Sequence, residues 1–325
     1  MIIKAGRFEK TQTGKTICND MQRILSHRIK ANEYSLAYLL LIILIVGIQN
    51  VKAVEFDSPF CKSPGVAFHP RAFVPQSDDC SPKREQVVED LRLLRKSGFR
   101  SLVTYSASNI LGSVPEIARQ LGFDGSIIMG VWDPLSEHEW DKAITQAPFV
   151  NGYCLGNEGL GVRYSQIELA SKMKELRRLT GRPVTTSEPI DSYLKGIHRD
   201  WLLINSDWLF PNAHPFLANQ SDPDCAVDWV VARYDYLAAT TGRRVVIKET
   251  GFPSSGSEIC NEEDQLSFFE ALVKKGIAFF YFEAFDQPWK RDVLKQPAVE
   301  AHWGLYRADG TPKKVILWFA DHWLE

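Results

Sequence analysis

The chain lacks the spacings from which metal centres are built. It has six cysteines and seven histidines in 325 residues, but no Cys-x-x-Cys and no His-x-x-x-His, so neither a metal nor another cofactor is expected. Net charge is small, at −2 overall. Residues 1–53 hold eight Lys or Arg against three Asp or Glu, a net +5, which leaves residues 54–325 at −7. A mildly acidic body carries no nucleic-acid footprint. No self-similarity at a period of about 20–50 residues appears, which excludes a solenoid or propeller. A membrane-length apolar run is missing too. The longest candidate, residues 34–48, is fifteen residues without a charge, short of the roughly 20 needed to span a bilayer.

That run is closer to a signal-peptide core, and Val51-Lys52-Ala53 offers a small-residue cleavage site. Lys4, Arg7, Lys10, Lys15, Arg23, Arg28 and Lys30 precede it. Their charge should stay cytoplasmic and send the rest of the chain outward. Met21 as the start would give a more ordinary signal peptide. The expected division is therefore a basic segment at 1–33, a signal peptide or signal anchor at 34–53, and an exported domain at 54–325. Cys18 falls on the cytoplasmic or cleaved side. Cys154 lies in an apolar run and reads as a small buried residue. The other four fall in loops, where Cys61 with Cys80 and Cys225 with Cys260 are expected disulfides in an oxidising compartment.

What is present is an alternation of short apolar runs and helical patterns. The runs are 65–68, 101–105, 127–132, 152–156, 183–187, 206–211, 245–248 and 278–284. Between them, Arg84–Lys96 puts Val87, Val88, Leu91 and Leu94 on one face and stops at Gly98. Gln166–Thr180 does the same with Ile167, Leu169, Met173, Leu176 and Leu179 before Gly181. Val227–Thr241 ends at Gly242 and Gln265–Lys275 at Gly276. Eight such units predict a single α/β domain, a (β/α)₈ TIM barrel, with no second domain. The nine Trp and eighteen Phe would serve a large core or a ring-stacking site equally well.

Two of the runs end on a carboxylate. Val245-Val246-Ile247-Lys248-Glu249-Thr250-Gly251-Phe252-Pro253-Ser254 passes from β-branched residues to a Glu and then to turn residues. Gly152-Tyr153-Cys154-Leu155-Gly156-Asn157-Glu158-Gly159 does likewise 91 residues upstream. A barrel presents catalytic groups from strand ends at its C-terminal mouth, and two carboxylates across one bond are what glycoside hydrolysis needs. Both stretches resemble the signatures of glycoside hydrolase family 17, the β-1,3-glucanases, over residues 64–320, and more particularly its microbial branch. The resemblance implies a retaining enzyme acting on β-1,3-glucan, with Glu249 as nucleophile and Glu158 as general acid/base. Carboxyl groups about 5–5.5 Å apart are then expected, with Glu158 buried and protonated at rest and Glu249 held ionised by a nearby cation, for which Lys290 is the candidate.

By the same resemblance Asn157 bonds the sugar 2-hydroxyl, and Glu283, Asp286 and Lys290, in the segment 282–290, contact substrate. A salt-bridged loop explains Asp286 and Lys290 almost as well. Glu188 can reach the cleft, and Asn212 and His214 resemble the family's Pro-Asn-x-x-Pro-Phe segment, the histidine as a hydrogen-bonding partner and not a base. Tyr105 and Trp132 orient or stack glucose rings, or pack the barrel. Phe252 stands where the family has Trp or Tyr and is counted with the substrate contacts. Residues 302–306 resemble the family's closing segment and read as structural. Asn219-Gln220-Ser221 is a glycosylation acceptor only in a eukaryotic host. Short loops after the first three runs leave exo-action open beside endo-cleavage. The expected protein is an exported monomer, whose alternatives are a transglycosylase with the same residues and a non-catalytic glucan-binding barrel.

Overall fold

The computed structural model describes residues 64–75 and 82–323. The expectations for residues 1–53, and for Cys61 with Cys80, fall outside the described residues. Among the described residues no helix is long and apolar enough to cross a membrane.

Seven strands form one parallel sheet: β1 (Gly65–Ala67), β2 (Leu102–Val103), β3 (Ile127–Val131), β4 (Gly152–Asn157), β5 (Val184–Ser187), β6 (Ile247–Thr250) and β7 (Phe279–Tyr281). Their order is β5-β4-β3-β2-β1-β7-β6. Residues 207–213 lie between the two edge strands. Asp207 N donates to Val184 O at 3.1 Å and Asn212 N to Glu188 O at 3.0 Å on one side, while Val246 N donates to Leu209 O at 2.9 Å and Lys248 N to Pro211 O at 2.8 Å on the other. The eighth strand expected at 206–211 is thus a set of isolated parallel bridges and not a ladder. Pro211 has no N–H to give, which interrupts regular pairing there. The curled parallel sheet is compatible with a TIM barrel.

The helices are α1 (Arg84–Lys96), α2 (Val114–Gln120), α3 (Glu137–Thr145), α4 (Gln166–Thr180), α5 (Ile190–Leu194), α6 (Arg199–Asn205), α7 (Pro223–Thr241), α8 (Glu262–Lys274), α9 (Pro288–Asp292) and α10 (Lys314–Trp323). α1 and α4 have the predicted bounds because their ends are written locally. Ser165 and Glu168 form a capping box at the start of α4, and Gly181 closes it at φ 66°. Its buried face is narrower than expected: Leu169, Met173 and Leu176 are buried, whereas Ile167 is exposed. α7 starts earlier than Val227, because Asp222 caps it by accepting from Cys225 N at 2.9 Å and Pro223 takes the first position. Cys225 is therefore on an exposed first turn, and Cys260 sits in the loop before α8. Both thiols are free, so the expected Cys225–Cys260 disulfide does not form.

Alternate strand residues divide between two apolar clusters. Val66, Leu102, Ile127, Tyr153, Ile247 and Phe279 join the helix residues Val87, Leu91, Phe268 and Phe269. Ala67, Val103, Ile128, Cys154, Val246 and Phe280 form the second cluster with Trp208, Phe210 and Trp303. Period-two alternation puts the first set under the helices and the second on the concave face. Cys154 is buried there as predicted, and burial pushes its thiol up to about 12.

Candidate active site

The β4–β5 and β6–β7 pairings, beside the two carboxylates, share a feature that the other strand pairings lack. Registry shifts between Cys154 and Asn157 where β4 meets β5, and between Ile247 and Thr250 where β6 meets β7. Irregularities of this kind re-aim side chains at a strand end. Gly156 has φ 71°, and a Cβ there would lie 2.0 Å from the Tyr164 hydroxyl. Glu158 itself has φ 51°, a left-handed conformation uncommon for a non-glycine residue.

Glu249 is buried at 4% exposure. Lys248 Nζ donates to its Oε1, and His214 Nε2 lies 3.2 Å from its Oε2. An ionised carboxylate only accepts, so His214 is the donor, as the sequence reading expected of a hydrogen-bonding partner. Burial alone would push the Glu249 carboxyl up. The Lys248 ammonium and the His214 imidazole outweigh it and hold the group well below the usual carboxylate range.

The cation expected beside Glu249 was Lys290. Lys290 instead pairs with Glu283 Oε1, and Lys248 takes the place beside Glu249. Lys248 is 1% exposed. Its Nζ also donates to Asn157 Oδ1 at 2.8 Å and lies 4.3 Å from the Tyr105 ring centroid. A lysine inside an apolar β-branched run was the available signal, since a buried ammonium requires a partner.

Asn212 continues the chain of contacts. Its Nδ2 donates to Asn157 Oδ1 at 3.1 Å and to Glu158 Oε1 at 2.8 Å, and its Oδ1 accepts from Ser187 Oγ at 2.8 Å. Glu158 and Glu249 are thereby joined through Asn212, Asn157 and Lys248, with Glu158 exposed and not buried as expected. Glu188, 7% exposed, does not face solvent: its Oε1 accepts from Gly159 N at 3.1 Å and Leu160 N at 2.9 Å, tying down the turn after Glu158. Burial pushes the Glu188 carboxyl up to about 7 against those two bonds, and the charge of Glu158 adds to the rise.

The remaining candidates divide. Tyr105 is buried and stacked on His69, with centroids 4.2 Å apart. Trp132, 44% exposed, carries the Arg163 guanidinium 4.2 Å from its ring centroid. Arg163 also donates to the Trp132 and Asn157 carbonyls. Glu283 is fully buried. Asp286 is tied to the closing segment and to Lys313: its Oδ1 accepts from Gly304 N at 3.0 Å and from Lys313 Nζ at 2.6 Å. Phe252 is fully buried between Phe216 and Phe268, on the helix side, and is core and not a subsite wall. In both corrections the partner comes from the far end of the chain or the next helix, which local sequence does not display. Lys248, His69 and Arg163 were missed. Among the described residues no cluster of His, Cys, Asp and Glu could hold a metal.

Residues 65–304 match the BtgE/BtgC glycoside hydrolase domain. The chain belongs to that family. Among similar proteins, a glucan 1,3-β-glucosidase of Arthroderma benhamiae is 28% identical over 241 residues, 65% of this chain and 77% of that protein. A glucan 1,3-β-glucosidase of Candida albicans is 26% identical over 279 residues, 74% and 89% respectively. A probable β-glucosidase of Aspergillus flavus is 29% identical across 68% of this chain, but the match spans only 39% of that protein. The solved glycoside hydrolase family 17 β-1,3-glucanosyltransferase from Rhizomucor miehei superposes with a TM-score of 0.63 at 22% identity, over 77% of this chain and 95% of that one. An endo-laminarinase from Formosa reaches 0.66 at 20% identity, over 80% and 87%. These superpositions establish a shared fold.

Proposed function

We propose that this BtgE/BtgC domain is a (β/α)₈ barrel that cleaves β-1,3-glucan with retention of configuration. Glu249 attacks the anomeric carbon to form a glycosyl ester, while Glu158 protonates the departing oxygen. Glu158 then takes a proton from the incoming water as that water attacks the ester. The observation that carries the reading is the asymmetry of the two carboxylates. Glu249 is buried with a cation and a donor on its two oxygens and stays ionised. Glu158 is exposed at the end of the same hydrogen-bond chain, with a neutral amide on Oε1, where it can exchange protons with substrate and water. Asn157 Oδ1 accepts from Lys248 and Asn212, which leaves its Nδ2 to donate to a ligand such as the sugar 2-hydroxyl. The relatives named for glucan 1,3-β-glucosidase support the substrate class.

Replacing Glu249 with Gln should abolish turnover of laminari-oligosaccharides at every pH. Undiminished activity would refute the assignment. Transglycosylation by the same residues is the second reading, favoured by the superposition on a glucanosyltransferase. Products longer than the starting oligosaccharide would identify it. Binding without turnover in the native protein would instead indicate a glucan-binding barrel. We further infer that the domain is exported, on the strength of the apolar run at 34–48 and the basic residues before it. Mass analysis of the mature N-terminus separates a cleaved signal from a retained anchor.

A further inference from the structure

Glu158 has to present its carboxyl steadily at the end of β4, yet its own backbone works against this. Its φ of 51° is a left-handed value that a non-glycine residue keeps only where the surroundings impose it. The turn at 159–164 is closed partly from within, by Gly161 N donating to Tyr164 O at 2.9 Å and Arg163 N to Gly159 O at 2.8 Å. The N–H groups of Gly159 and Leu160 are not used in that closure. Both residues are buried, where an unpaired N–H is costly.

The end of β5 supplies what is missing, through two consecutive residues. Ser187 O accepts from Glu158 N at 2.8 Å, and Glu188 Oε1 accepts from Gly159 N at 3.1 Å and Leu160 N at 2.9 Å. Three successive N–H groups, of Glu158, Gly159 and Leu160, therefore end on one dipeptide. The same dipeptide also holds the Glu158 side chain through Asn212. Ser187 Oγ donates to Asn212 Oδ1 at 2.8 Å, Asn212 N donates to Glu188 O at 3.0 Å, and Asn212 Nδ2 donates to Glu158 Oε1 at 2.8 Å. Glu188 is 7% exposed and its Oε1 is spent on the turn.

We propose that Glu188 is a positioning residue for the acid/base: its carboxyl fixes the backbone at 158–160 and thereby aims Glu158 at the glycosidic oxygen, without touching substrate. This rests on the glycosidase reading and replaces the substrate contact expected of Glu188 with an indirect role. Both proton transfers depend on it, since Glu158 gives a proton to the departing oxygen and later takes one from water. A misplacement of about 1 Å costs on the order of 100-fold in such a step. The nucleophile is set independently, because Lys248 and His214 hold the Glu249 oxygens without help from Glu188.

A leaving group that needs no proton separates this role from a purely structural one. Glu188→Ala should lower kcat/KM on laminaritriose on the order of 10- to 100-fold, with the loss in kcat and KM changed by less than about threefold. On dinitrophenyl β-laminaribioside, whose phenolate departs unprotonated, kcat/KM should fall by less than about threefold. The kcat on that substrate, limited by breakdown of the glycosyl ester, should drop and be restored by azide. Azide attacks the anomeric carbon as an anion and releases Glu249 as a carboxylate, giving the glycosyl azide with no base required. Glu188→Gln, which keeps an acceptor oxygen for the two N–H groups, should recover most of the loss. Equal losses on the two substrates, or no response to azide, overturn the positioning role and leave both glutamates assigned as before. Should the alanine protein fail to fold, Glu188→Asp, one methylene shorter, is read for the same split, and its absence there overturns the role equally. A native protein that turns over neither substrate overturns the glycosidase reading itself.

Discussion

Replacing Lys248 with Met tests the electrostatics of the site most directly. The substitution keeps the length of the stem and removes the ammonium that contacts Glu249 Oε1 and Asn157 Oδ1. Lys248 is 1% and Glu249 4% exposed, so this is a broken buried pair, a change that costs about 3–5 kcal/mol. In the native protein the Glu249 carboxyl lies below its unfolded value of about 4.3. Its contribution to stability is therefore complete above that pH and is lost as pH falls. Without Lys248 only His214 opposes burial. The folded value then rises toward the unfolded one, and the pH-dependent stability that Glu249 contributes shrinks. The assays are kcat/KM on laminaritriose and chemical denaturation, each from about pH 3 to 8. The acid limb of the rate profile should move up by at least a unit, each unit being about 1.4 kcal/mol and a tenfold loss of rate below the limb. An acid limb that stays in place, with a stability profile parallel to the native one, would refute the role assigned to Lys248.

Two further outcomes follow from the geometry. Glu188 rises to about 7 in the folded protein from roughly 4.3 unfolded, so its contribution favours folding below about pH 4.3 and is lost as pH rises through 7. Glu188→Gln, which can still accept from Gly159 and Leu160, should flatten the stability curve between pH 5 and 8 in denaturant titrations. A Phe252→Ala protein should lose about 3–5 kcal/mol of stability with KM for laminaritriose changed less than twofold, as measured by denaturation and steady-state kinetics. A large KM change with little loss of stability would return Phe252 to the substrate site.

The local features of the chain were sufficient for α1 and α4 and for its two strand-end carboxylates. α1 and α4 start and stop as predicted because caps, apolar spacing and terminal glycines lie within a few residues of one another. The Asn157-Glu158 and Lys248-Glu249 pairs stand out for a similar reason: a charged group at the end of an apolar run is a contrast visible over five residues. Partner choice is another matter. Lys248 pairs with its neighbour Glu249 and Lys290 with Glu283 seven residues back, whereas the contact of Lys248 with Asn157, 91 residues away, exists only because the sheet curls. Asp286 meets Lys313 from a later segment, and Phe252 turns to α8. Residues 207–213 close the gap beside β6 with single bridges, because Pro211 cannot extend a ladder. Periodicity is a property of neighbours along the chain, whereas charge pairing and burial depend on which distant strand ends the curled sheet brings to one mouth.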